Sequence, residues 1–239
     1  VTDIWIKNYT PKIYLDATNN EYVIYDSVFD YYNKNRVPFF SIKDDDDLKY
    51  ICCNNELYVK ALAFANEKHA GQTRKDGDTP YIVHPIAVAE LVRKAGYGKK
   101  HQIVALLHDT LEDTDATEED LRIFGEDVVH AVKLLTRAKG ADEEEYVKNV
   151  LSDPMAAVVK NADKISNLYD SAFSGNVGQV RSEKAKRFAK KYVEKARKYY
   201  AHKFSPALDD AIEKVDALLE DEYVRDWQTP NYTREEMRI

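Results

Sequence analysis

From Glu56 onward the apolar residues of this chain recur at the spacing of a helix face, beginning with Leu57, Ala61, Phe64 and Ala65, and this restricts the body of the molecule to packed helices. A second helix starts around Tyr81 to Pro85 and carries Val83, Ile86, Ala87 and Leu91 on one side. A third, over about 99–113, would bury Ile103, Leu106, Leu107 and Leu111. Thr117 and Asp120 have capping-box spacing ahead of the next two, which Gly125 punctuates. Asp153 and Pro154 suit the N-cap and first turn of a helix reaching about Leu168. Two amphipathic helices follow over 184–204 and from Pro206 to about Tyr223, the latter with Leu208, Ile212, Val215 and Leu219 as its stripe.

Residues 1–55 read differently: the β-favouring runs KIYLD, EYVIYD and PFFSI are separated by the turn-prone ATNN and by NKNRVP. The expected organisation is a small β-containing appendage over 1–55, a mainly α domain over 56–224 and a polar C-terminal tail over 225–239. Ile13, Tyr14, Val23, Ile24, Phe39 and Phe40 of the appendage need a surface to cover them, either the helical body or a second subunit, so a homo-oligomer stays open.

The net charge of −7 argues against general nucleic-acid binding but not against a phosphorylated small ligand, which a few basic residues and a metal ion can hold. No apolar run approaches the roughly 20 residues that span a bilayer, and the opening VTDIWIKNYT lacks secretory-signal features. No membrane partner and a cytoplasmic location are expected. Cys52 and Cys53, being adjacent, can neither staple distant segments nor offer metal-ligand spacing of the C-x-x-C kind.

The chemistry concentrates in His108-Asp109-Thr110-Leu111-Glu112-Asp113. On a helix His108 lies over Glu112 and Asp109 over Asp113, a polar stripe beside the core face of Leu106 and Leu107. An imidazole beside a carboxylate can bind a divalent metal, while a second carboxylate pair can handle the attacking water. Alone, such a stripe is also what a solvated helix end looks like. His84 in YIVHP, and Asp163 one turn from Asn167 in NADKISN, add ligands that only a folded bundle can bring together.

The strings HAGQTRKDGDTPYIVHP, ALLHDTLEDT, FGEDVV with LLT, and VKNADKISNL together resemble the hydrolase domain of RelA/SpoT homologues, over roughly 57–222. The likeness is greatest to the stand-alone small alarmone hydrolases, and it implies an HD-domain helical bundle. It further implies one Mn²⁺ held by His84, His108, Asp109 and Asp163, with Glu112 and Asp113 orienting and deprotonating water. Arg74, Lys75, Tyr81 and Asn167 resemble the family's nucleotide-contacting residues. The implied reaction removes the 3′-pyrophosphate of (p)ppGpp, leaving GDP or GTP. No synthetase half follows in this sequence, so hydrolysis without synthesis is expected.

Two positions depart from the family pattern: Asn161 stands where Leu is usual, and Tyr169 where Arg often follows. Alternatives are an HD phosphohydrolase of another nucleotide, such as an NADPH phosphatase or an antitoxin-like hydrolase of pyrophosphorylated RNA, and a non-catalytic nucleotide sensor. The sensor would be expected to lose ligands that this chain keeps.

Overall fold

The computed structural model describes residues 12–16, 21–25, 38–42, 45–172 except 76 and 78, 182–221 and 232–239, with side chains from 56 onward. The chain divides into two compact units, Val1–Lys68 and His69–Ile239. In the first, β1 (Lys12–Asp16), β2 (Glu21–Tyr25) and β3 (Pro38–Ile42) form an antiparallel sheet in sequential order. Ile24 of β2 stands between Ile13 and Phe40, and the register slips between Ile24 and Tyr25, where Tyr25 meets Pro38. A proline cannot donate to the ladder, so irregular pairing there is expected. Helix α1 (Asp45–Lys68) begins earlier than the periodicity from Glu56 indicated, and its buried side chains include Tyr58, Ala61, Leu62 and Ala65.

The second unit is helical. Its elements are α2 (Val83–Lys94), α3 (Lys99–Leu107), α4 (Thr110–Asp113), α5 (Glu118–Leu121), a 3₁₀ turn at Arg122–Phe124, α6 (Glu126–Leu135), α7 (Glu143–Leu151), α8 (Pro154–Ala172), α9 (Glu183–Tyr199) and α10 (Pro206–Leu218). Helix α8 is the hub, packing against α2, α3, α6, α7, α9 and α10. Its Ala156, Ala157 and Ala162 let neighbouring backbones approach, while Val159, Ile165 and Leu168 fill the space between them. Asp153 caps it as expected, its Oδ1 accepting from the amides of Met155 and Ala156 at 2.9 and 2.8 Å. The capping box at Thr117 and Asp120 is also formed.

A helix enclosed on several sides keeps polar groups only where neighbours satisfy them. Ser205 Oγ donates to Asn161 Oδ1 at 2.9 Å, and Asn161 Nδ2 reaches Met237 Sδ at 3.4 Å. The Tyr169 hydroxyl meets that of Tyr232 at 3.1 Å, and Tyr232 donates to Asp210 at 2.8 Å. Both departures from the family pattern therefore bond to the C-terminal helix and segment. Tyr232 and Met237 are buried, so the polar composition of that segment hides two anchors.

The helix expected over 99–113 is interrupted. His108 caps α3 and Asp109, at φ −99° and ψ −4°, precedes the short α4. The His108 ring donates through Nδ1 to the Ala105 carbonyl and Thr110 Oγ1 to that of Leu107, both at 2.7 Å. These side chains satisfy carbonyls at the end of α3 and so permit the break. Leu107, fully buried just before it, is expected to lose about 2–5 kcal/mol of stability on replacement by alanine, measurable by denaturant unfolding. Among the described residues no helix is long and apolar enough to cross a membrane.

Candidate functional site

The break after Leu107 turns Asp109 toward the imidazoles of α2 and α3. His108 Nε2 lies 3.0 Å from Asp109 Oδ2 and 3.7 Å from Asp163 Oδ1. His84 Nε2 lies 3.1 Å from Asp163 Oδ1 and 3.9 Å from Asp109 Oδ2. One ligand atom from each of His84, His108 and Asp109 falls within 4.8 Å of the others, a spacing that one cation can bridge. Asp163 comes from α8 and binds Lys160 through its other oxygen at 3.0 Å.

Two observations test whether this donor set fits a metal ion. With Nδ1 committed to the Ala105 carbonyl, His108 presents Nε2 to the cluster, and that buried atom has no hydrogen-bond partner among the described residues despite the nearby carboxylates. Second, the electrostatics call for positive charge. Burial alone would lower the His108 pKa, but Asp109 and Asp163 overcome it and hold the ring up at about 10. Burial would raise the Asp109 carboxyl, yet His108 and His84 keep it below the usual carboxylate range. The half-buried Asp109 and the buried Asp163 carboxylates converge on these two imidazoles, and carboxylate oxygens and imidazole nitrogens are donors that divalent ions accept.

A family model described as an HD domain matches residues 61–191. The chain belongs to the HD-domain family. Over 148 residues it is 38% identical to a guanosine-3′,5′-bis(diphosphate) 3′-pyrophosphohydrolase of Aquifex aeolicus, a match covering 58% of this chain and only 20% of that protein's length. It is also 38% identical over 128 residues to the zebrafish (Danio rerio) pyrophosphohydrolase MESH1, covering 50% of this chain and 71% of that one. A solved structure of a metazoan ortholog of SpoT, which hydrolyses ppGpp, aligns with TM-score 0.49 and 29% identity over 67% of this chain and 94% of that chain.

Around the HD pair, Tyr81 donates its hydroxyl to Asp109 Oδ2 at 2.7 Å and lies 3.4 Å from Asp113 Oδ2. Burial, then Asp109, raises the pKa of Asp113 above its ordinary value. Arg74 donates to Asn167 Oδ1 at 3.0 Å and to Asp170 at 2.7 Å, and its guanidinium covers the Tyr81 ring at 5.6 Å. Asn167 in turn donates to Asp163 Oδ1, so three expected residues form one chain, Arg74–Asn167–Asp163. Lys75 stands apart, its ammonium 4.1 Å from the exposed Phe188 ring. One oxygen of Glu112 is committed to another segment: its Oε2 accepts from the Arg137 amide at 2.9 Å.

Sequence reasoning missed Lys160 and Ser166. Lys160 lies one turn before Asp163, and that spacing was the available signal. Ser166 Oγ meets His84 Nδ1 at 3.4 Å and leaves Nε2 facing the carboxylates, a contact between helices that no local pattern encodes. The tyrosines of α9 pack beside α8, with the Lys164 ammonium 5.4 Å from the Tyr192 ring and 4.8 Å from that of Tyr200 just beyond it.

Proposed function

We propose that this HD domain removes the 3′-pyrophosphate of guanosine alarmones of the (p)ppGpp type, using one Mn²⁺ held by His84, His108, Asp109 and Asp163. The observation that carries the reading is the buried Nε2 of His108, without a hydrogen-bond partner among the described residues, beside the carboxylates of Asp109 and Asp163. The names of the similar Aquifex and zebrafish proteins supply the substrate class. The bound ion supplies Lewis acidity, which neutralises phosphoryl charge and acidifies water.

The protein's own residues do the rest. Arg74, Lys75, Tyr81 and Asn167 receive the nucleotide; a guanidinium suits a base face or paired phosphate oxygens, and the Lys75 ammonium suits a single phosphate. Asp113 takes the water proton at Oδ2, favoured as a base by its raised pKa and oriented by the Tyr81 hydroxyl. Glu112, anchored at Oε2 by the Arg137 amide, keeps Oε1 to orient the same water. The water oxygen bonds to the phosphorus on O3′, the P–O3′ bond breaks, and a proton passes to O3′.

The test is incubation of the purified protein and Mn²⁺ with ppGpp, pppGpp, NADPH, 5′-pyrophosphorylated RNA and simple nucleotides, with products separated by chromatography. GDP or GTP plus pyrophosphate is the expected result. Orthophosphate release from NADPH alone, or turnover of RNA alone, would replace the substrate assignment, and binding without turnover would identify a sensor.

A further inference from the structure

His69 ends the first helix-to-loop transition and is buried, at 3% exposure, yet the reaction just described gives it no role. Gly71, at φ +80°, turns the chain there, and the Gln72 amide donates back to the His69 carbonyl at 3.0 Å. The side chain of Gln72 then fixes the histidine tautomer. Its Nε2 donates to the Asp113 carbonyl at 2.8 Å, so its Oε1 is the atom that faces His69 Nδ1 at 2.8 Å. A carbonyl oxygen only accepts; His69 Nδ1 must therefore carry the hydrogen. Burial lowers the ring's pKa, which keeps it neutral and leaves Nε2 as a bare lone pair.

That lone pair has no partner among the described residues. Among the described residues, His69 Nε2 and His108 Nε2 are the two buried side-chain nitrogens or oxygens without a hydrogen bond. The metal set accounts for His108, whereas the cation-spaced group of His84, His108 and Asp109 does not include His69. The ring packs on Tyr81 with centroids 4.7 Å apart, and the same tyrosine binds Asp109 and approaches Asp113. The His69 ring thus packs against a residue of the candidate site. Phosphoryl oxygens carry no hydrogen to give it and would repel the lone pair, so its complement is a hydrogen-bond donor, and the donors next to the reacting phosphorus are O–H groups.

We propose that His69 Nε2 accepts a hydrogen bond from an O–H group in the active site, either the water or the free 2′-hydroxyl of the nucleotide ribose, and so acts as a positioning residue for the reaction. The choice of sources rests on the alarmone reading above; the acceptor role does not.

His69→Asn keeps an amide nitrogen near Nδ1 to serve Gln72 but has no atom at Nε2, whereas His69→Gln places an amide oxygen near Nε2. Asn is expected to melt and bind Mn²⁺ like the wild type while losing roughly ten- to hundredfold in turnover, the effect of one lost hydrogen bond, and Gln to recover most of it. A fully active His69→Asn protein would overturn the proposal. Imidazole ¹⁵N NMR of the wild type decides it even if both variants fold poorly. With Mg²⁺ alone, a water donor gives an Nε2 resonance already at the hydrogen-bonded position. A ribose donor moves it there only when GDP is added, and 2′-deoxy-GDP fails to do so. A protonated Nε2, or one that stays at the free position throughout, refutes the acceptor role. Failure of the wild type to cleave any alarmone would refute the substrate reading and leave the nitrogen signal to be judged by itself.

Discussion

Replacing Asp109 with alanine is expected to abolish metal uptake and turnover together. Its Oδ2 is the atom on which the cluster converges, 3.0 Å from His108 Nε2, 3.9 Å from His84 Nε2 and 2.7 Å from the Tyr81 hydroxyl. Losing one of the four proposed protein donors should cripple a single-ion site, since even a supporting residue outside a ligand set typically changes affinity by about 10- to 100-fold. Metal content and thermal melting report this without any substrate. At Mn²⁺ about 100-fold above its dissociation constant, linkage stabilises the wild type by about 2.7 kcal/mol. For a chain of this size that corresponds to a rise in Tm of roughly 5–11 °C. The variant should show no rise, and a stoichiometric, fully active Asp109→Ala protein would refute the ligand assignment.

Much of the architecture was legible because it depends on local rules. The capping box at Thr117 and the Asp153-Pro154 start of α8 are short-range signals, and both occur where the spacing indicated. The helical body followed from periodicity, since a stripe such as Leu208, Ile212 and Val215 is buried wherever the helix packs. The break at His108 was not legible. An unbroken 3.6-residue pattern fits Lys99 to Asp113, and only the carbonyl contacts of His108 and Thr110 end the helix early.

The candidate site divides along the same line. Residue types and order marked His84, His108, Asp109 and Asp163 as potential ligands, and helices from separate parts of the sequence bring them together. The supporting contacts were hidden because they join distant segments: Arg74 to Asn167 and Asp170, Glu112 to the Arg137 amide, and Gln72 to the Asp113 carbonyl. Such contacts depend on how whole helices stack, so a reading by motif reaches candidate ligands more readily than the residues that support them.

The two acidic residues after the HD pair should separate metal binding from chemistry. Glu112→Gln keeps the side-chain shape and a carbonyl oxygen to accept from the Arg137 amide, so fold and Mn²⁺ content should match the wild type. What it removes is charge. Turnover is expected to fall by roughly 10²- to 10⁴-fold, the usual contribution of general acid–base catalysis, with KM little changed. Asp113→Asn should lose at least as much, because Asp113 is the carboxylate nearer Tyr81 and the one whose pKa burial and Asp109 raise. Steady-state kinetics of both variants beside metal analysis make the comparison. Unchanged turnover in Glu112→Gln would confine that residue to anchoring the segment at Arg137 and leave Asp113 to handle the water alone; unchanged turnover in both would remove the acidic pair from the mechanism without touching the proposed metal site.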